Sequence, residues 1–227
     1  MKVEFMHRPG NTAAKVLLED GEACTAESGA MIAMSGNVDV TTTTHKKNSG
    51  SLLKALKRMV AGESLFLNHF EPRGQSGEVW FGSSLAGDMM EYDLEDESLI
   101  VQGGSFVACE QQVEMDLGWQ GFKSVLSGES VFWLHMKGSG KVILNSFGAI
   151  YPVEVDGEYI VDTGHIVAFN ETLDFTITKA GKSWLHSFLG GEGLVCKFHG
   201  KGTVWCQSHN PSSFGWAMSG ALKPRSA

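Results

Sequence analysis

Two histidines, His69 and His135, each stand seven residues after the glycine of a Gly-Glu pair, and that recurrence raises metal chemistry first. Three imidazoles gathered from three such motifs would make a zinc-like site. The third motif, Gly191-Glu192, withholds the ligand: Phe198 stands seven residues on, Lys197 holds the place counted from the following turn, and His199 falls at neither. No metal and no cofactor is expected. Carboxylates recur more regularly. Asp39, Glu114 and Asp174 each sit between two apolar residues, while Glu63, Glu129 and Glu192 each follow a glycine. Paired carboxylates serve as general acid and base, and a ring of them would hold a cation. Against this, an alternating strand places a polar residue outward between two inward apolar ones, and a glutamate at a turn accepts backbone N–H bonds. The structural use is the expectation.

No catalytic signature accompanies these groups. The chain has no GxSxG elbow, no P-loop and no HExxH, and Ser51-Leu52-Leu53-Lys54 spells SxxK without the rest of that machinery. A non-enzymatic protein is expected. Cys24, Cys109, Cys196 and Cys206 form no CxxC and lie among apolar residues, as buried reduced thiols do. The most distinctive exposed chemistry is cationic. Lys46, Lys47, Lys54, Lys57 and Arg58 fall within residues 45–58 without an acid among them. Leu52, Leu53, Leu56 and Met59 would form the inner face of a helix whose outer face carries Lys54, Lys57 and Arg58. Such a helix can lie on an anionic membrane or dock on an acidic protein.

Composition narrows the classes. In 227 residues, 42% are hydrophobic and 19% charged, enough to bury a sizeable core. A net charge of −8 argues against a general nucleic-acid binder, because phosphate contacts need clustered cations. No apolar run approaches the roughly 20 residues that span a bilayer. The opening stretch MKVEFMHRPGNTAAK shows no apolar signal region, so a cytoplasmic location is expected.

The elements that must position these residues come in threes. GAMIAM (29–34), GSFVAC (104–109) and GHIVAF (164–169) open three segments. Val38-Asp39-Val40, Val113-Glu114-Met115 and Leu173-Asp174-Phe175 follow at one fixed offset. Each segment then runs through apolar residues at helical spacing into its Gly-Glu pair, and closes on GEVWF (77–81), GKVIL (140–144) or GTVWC (202–206). The glycine suits a helix C-terminus, where a left-handed backbone costs it little. These matches predict a single all-β body, residues 1–227, of three tandem β-sandwich repeats spanning roughly 15–87, 97–150 and 157–210. Short helices cap the sheets, the repeats sit about a pseudo-threefold axis, and a C-terminal tail packs loosely. CKFHGKGTVWC reads as a hairpin centred on Lys201, placing Cys196 opposite Cys206, and LHMKGSGKVIL as one centred on Ser139. The hairpin faces holding Val131, Trp133 and Ile143, or Val195 and Trp205, would then suit a homo-oligomer interface, as a trimer or dimer of trimers.

The closing stretch GGEGLVCKFHGKGTVWCQSHNP, with SGES mid-chain and ESGAMIAM near the start, resembles the bacterial family related to the mitochondrial altered-inheritance protein, from about residue 3 to about residue 222. The resemblance implies a fold like the tryptophan RNA-binding attenuation protein. It implies no activity and no site residues, and its mitochondrial members' link to inner-membrane organisation favours the basic helix as a contact surface. The expected function is a binding or scaffolding protein. The alternatives are a small-ligand or cation binder with a pocket on the pseudo-axis and, by fold analogy alone, an RNA binder.

Overall fold

Alternation of apolar and polar residues builds most of the chain into strands. In the computed structural model, which describes residues 1–44, 66–116, 133–179 and 194–221, AAKVLL forms a strand that buries Ala14, Val16 and Leu18 and turns Lys15 outward. The first strands are β1 (Lys2–Met6), β2 (Ala13–Leu18), β3 (Cys24–Glu27), β4 (Met31–Met34), β5 (Val38–Thr44), β6 (Phe66–Pro72) and β7 (Gly77–Phe81). Then follow β8 (Met89–Gln102), β9 (Phe106–Glu110), β10 (Glu114–Asp116), β11 (Trp133–Asn145), β12 (Ile150–Asp162), β13 (Ile166–Asn170), β14 (Asp174–Lys179) and β15 (Leu194–Gln207). One four-stranded sheet runs β1-β2-β7-β4. A larger sheet runs β12-β15-β13-β8-β11-β9-β3-β6-β5, with β10 on β11 and β14 on β15. The protein is predominantly β, and neither sheet closes on itself.

Three ladders share one register. Met31, Ala33 and Met34 pair with Phe81, Trp80 and Val79; Phe106, Ala108 and Cys109 with Leu144, Ile143 and Val142; Ile166, Ala168 and Phe169 with Cys206, Trp205 and Val204. Each ladder skips one residue as a bulge, at Ile32, Val107 or Val167. The acidic triplets also pair alike, with Val40 opposite Phe70, Met115 opposite Met136 and Phe175 opposite Phe198.

The two expected hairpins are not formed. β11 and β15 are single strands of 13 and 14 residues, paired along their whole lengths with β8 and β12. Their glycines bend the strand rather than reverse it. Gly138, Gly140, Gly157 and Gly200 adopt φ of +104°, +138°, +107° and +120°, and Asp96 at +59° is the extra residue where β8 bulges past Gly138 and Ser139. Cys196 and Cys206 therefore lie ten residues apart on one strand, though both are buried in one core as expected. Only the first segment interrupts the strand, with the loop 73–76 separating β6 from β7.

Long strands flanked on both sides explain why both of their faces are apolar. The first core is built from β2, β3, β6 and β7 but also takes Val107, Ala108 and Ile143. The second takes Val167 and Ala168, with Trp205 packed against it. Trp133 belongs to the third core, edge-on to Phe169 at 5.3 Å. Of the side chains expected at an oligomer interface, Trp133, Ile143 and Val195 are buried, at 4%, 0% and 7% exposure, and Trp205 is half-buried. Burying each such side chain contributes on the order of 2 kcal/mol.

Asp88 pins the first segment to β8. Its carboxylate accepts from Arg8 Nε at 2.9 Å and Nη2 at 2.8 Å, Thr12 Oγ1 at 2.8 Å and the Met89 N–H at 2.8 Å. The C-terminal tail begins with an exposed, capped helix. Asn210 accepts from the N–H groups of Ser212 and Ser213, Pro211 occupies the first turn, and α1 (Pro211–Ser219) follows. The helices expected before each Gly-Glu pair lie outside the described residues.

Candidate functional site

The expected site residues fall in two groups. Lys54, Lys57, Arg58, Glu63, Glu129 and Glu192 lie outside the described residues. Asp39, Glu114 and Asp174 occupy matching ladder positions, opposite Glu71, Lys137 and His199. Glu114 and Asp174 are exposed, and Asp39 is bound in bidentate fashion by the Arg73 guanidinium. Val38, Val113 and Leu173 beside them are buried, so the alternation seen in the sequence turns each acid outward.

The histidine positions are now decided by register. His69, His135 and Lys197 pair with Thr41, Asp116 and Thr176, so Lys197 holds the third place. His69 is held between Thr25 Oγ1 at 2.8 Å and Thr43 Oγ1 at 2.7 Å, and buried His135 lies 3.1 Å from Glu171 Oε1. Among the described residues no three His, Cys, Asp or Glu gather as a metal-binding group.

A cleft that the sequence analysis missed holds the more unusual chemistry. It has a volume of about 260 Å³ at the seam where β9 lies on β3. The turn Glu27–Ala30, the stretch Gly82–Leu85, Gly104 and Asn145 line it. The β3 alternation sends Cys24 and Ala26 into the core and leaves Glu27 on the cleft side. No described group hydrogen-bonds the Glu27 carboxylate, and burial pushes its pKa up to about 7. Three serine hydroxyls, Ser28, Ser83 and Ser84, and the Asn145 carboxamide complete a small polar surface over glycine backbone. Such a surface can hold a small polar molecule by hydrogen bonds, with Glu27 accepting from it when ionised. The string ESGAMIAM contains Glu27, but one acid before a repeated glycine gives no hint of its desolvation.

A larger depression of about 480 Å³, lined by Glu97, Ser98, Asn170, Glu171 and Thr172, is less suited to this role. Glu97 already accepts from Tyr92 Oη at 2.8 Å, and Asn170 donates to the same Tyr92 oxygen at 3.1 Å.

Comparison with known proteins places this architecture. The model of the mitochondrial biogenesis AIM24 family matches residues 3–209. The chain belongs to that family. An uncharacterized protein of Streptococcus pyogenes serotype M6 is 29% identical over 203 residues, covering 87% of this chain and 81% of its own. A Streptococcus pyogenes crystal structure from a structural genomics consortium superposes with a TM-score of 0.81 at 26% identity, over 97% of this chain and 99% of that one. The resemblance seen in the closing stretch is therefore one of family, and the β architecture is shared with a solved structure. Among the described residues no helix is long and apolar enough to cross a membrane.

Proposed function

We propose that this AIM24-family chain is a non-enzymatic, cytoplasmic binding module built from three tandem copies of one β unit, and that it takes a small polar ligand in the Glu27 cleft. The family resemblance implies a unit like that of the tryptophan RNA-binding attenuation protein, and the three shared registers and three bulges support the repetition. The cleft sits at the seam between the first two units rather than on a central axis. The observation that carries the ligand reading is Glu27, a partly buried carboxyl with no hydrogen-bonding partner among the described residues, facing hydroxyls and a carboxamide across open volume. A ligand bearing hydroxyl or amine donors would satisfy it. The test is ligand-observed NMR and thermal shift with a panel of polyols and small amines, on wild type and Glu27→Ala. Binding by wild type that the variant loses supports the reading; equal behaviour of the two across the panel rejects it.

A second reading rests on charge. Lys46, Lys47, Lys54, Lys57 and Arg58 all fall in the first of three matching segments, whose counterparts hold Lys123, and Lys179 with Lys182. Each cation near an anionic surface contributes roughly 1 kcal/mol, so this segment is suited to an anionic membrane or an acidic protein. Liposome co-sedimentation at low and high salt tests it. Lys54→Glu, Lys57→Glu and Arg58→Glu together should abolish salt-sensitive binding, and unchanged binding would exclude this surface.

A further inference from the structure

Two seams inside the chain show how one β unit joins the next. At the first, β9 lies antiparallel on β3, with Ala108 opposite Ala26 and Cys109 opposite Thr25. At the second, β13 lies on β8 in the same register, with Ala168 opposite Val101 and Phe169 opposite Ile100. In both, the bulge residue of the later unit drops into the core of the earlier one. Val107 enters the first core and Val167 the second, at 1% and 0% exposure. The residues paired with the neighbouring alanines follow them: Ile143 lies in the first core, and Trp205 packs on the second.

A third seam has both halves and no joint. β4 carries the same bulge, with Ile32 where the others have Val107 and Val167, and with Trp80 opposite Ala33. Yet Ile32 is 58% exposed, and Met31 and Met34 beside it are 40% and 39% exposed. The matching receptor is the outer edge of β12. Val161 pairs with Cys196 as Val101 pairs with Leu134, which sets Ile160 in the place of Ile100 and Tyr159 in that of Leu99. Leu99 and Ile100 are fully buried, whereas Tyr159 and Ile160 are 46% and 50% exposed. β12 ends its sheet, and β4 ends the other, so among the described residues of one chain both edges stay open. Six of the ten large exposed apolar side chains among the described residues sit on these two strands, which is where unpaired edges most invite addition.

We infer that β4 of one copy adds to the outer edge of β12 of a second copy of this chain, with Ala33 opposite Val161, Met34 opposite Ile160 and Ile32 entering the second copy's third core. The inference rests on the three-unit reading above. The joint is head-to-tail, so chains continue until the rotation closes a ring or run on as a filament. It repeats the two internal seams, which supply the template for backbone pairing and side-chain insertion alike.

Sedimentation velocity on the full chain tests this with Ile32→Lys, Ile160→Lys and their equimolar mixture. Both side chains are exposed in the single chain, so each variant keeps its fold, as the wild-type circular dichroism melt would confirm. Wild type at tens of micromolar should sediment as a multi-chain species, and each variant alone as a monomer. The mixture should form a dimer, because one variant retains an intact β12 and the other an intact β4. A monomeric wild type, variants that associate like wild type, or a mixture that stays monomeric would each overturn the inference. Should a lysine disturb the fold, Met34→Cys and Ile160→Cys chains mixed under mild oxidation give an independent reading, since the native thiols are buried. A disulfide-linked dimer supports the joint, and its absence overturns it. A double variant that forms the bond within one chain also overturns it, because the seam would then close internally. A monomer whose three ladders superpose in an experimental structure sinks the association alone, whereas ladders that do not superpose sink the three-unit reading.

Discussion

At the scale of residues, Glu27 and Asp88 are two carboxylates pushed in opposite directions by their surroundings. Burial without a partner raises Glu27 to about 7, so folding resists its ionisation, and stability declines as pH rises from the ordinary glutamate range toward 7. Glu27→Gln removes that penalty. It should raise stability at pH 8 by about 1 kcal/mol, discounted for partial exposure, and change little at pH 4, measured by urea denaturation. Burial also works against the charge of Asp88, but hydrogen bonds from Arg8, Thr12 and the Met89 N–H outweigh it and hold the group below its usual value. Its contribution is present at neutral pH and lost as pH falls below the ordinary aspartate range. Asp88→Ala should cost about 2 kcal/mol at pH 7 and much less at pH 2. The thiols were legible from their apolar neighbours: burial lifts Cys24 and Cys196 to about 12 and Cys206 to about 11, and Cys109 higher still. All four should react with a thiol reagent in the native protein orders of magnitude more slowly than after denaturation. Glu27 was not legible, because desolvation depends on which strands meet around it.

At the scale of elements, the fixed offsets in the sequence located matching strands, and the alternation assigned their faces. Leu134, Met136, Val142 and Leu144, alternating along β11, lie in one core. What misled was Gly-Lys-Gly and Gly-Ser-Gly, whose local signals are the same for a hairpin and for a bent strand. The choice is made by a partner about fifty residues away: β12 pairs with all of β15, leaving its two halves no room to pair with each other. The bulges were likewise invisible, since one skipped residue at the same place in three segments leaves their sequence offsets unchanged. They have different energetic weight. Val107→Ala and Val167→Ala empty core positions and should each lower stability by about 2 kcal/mol, whereas Ile32→Ala should change the stability of the dilute chain by less than about 0.5 kcal/mol, by the same denaturation assay.

At the scale of the whole molecule, the sequence told of three similar segments and led to an expected pseudo-threefold arrangement. Among the described residues β4 and β12 each end a sheet and expose apolar side chains. Two of the side chains that sequence alone marked for assembly, Trp133 and Ile143, are buried in hydrophobic cores of the chain itself. Apolar character on both faces of a strand thus reflected internal neighbours, and the edges left over are short stretches no pattern singles out. The account stands or falls on the equivalence of β4, β9 and β13. Amide hydrogen exchange, read residue by residue in dilute and concentrated protein, tests it most directly. The amides of β9 and β13 should be protected at both concentrations, and those of β4 that point away from β7 should exchange freely when dilute and become protected when concentrated. Protection of β4 at every concentration, or at none, would contradict it.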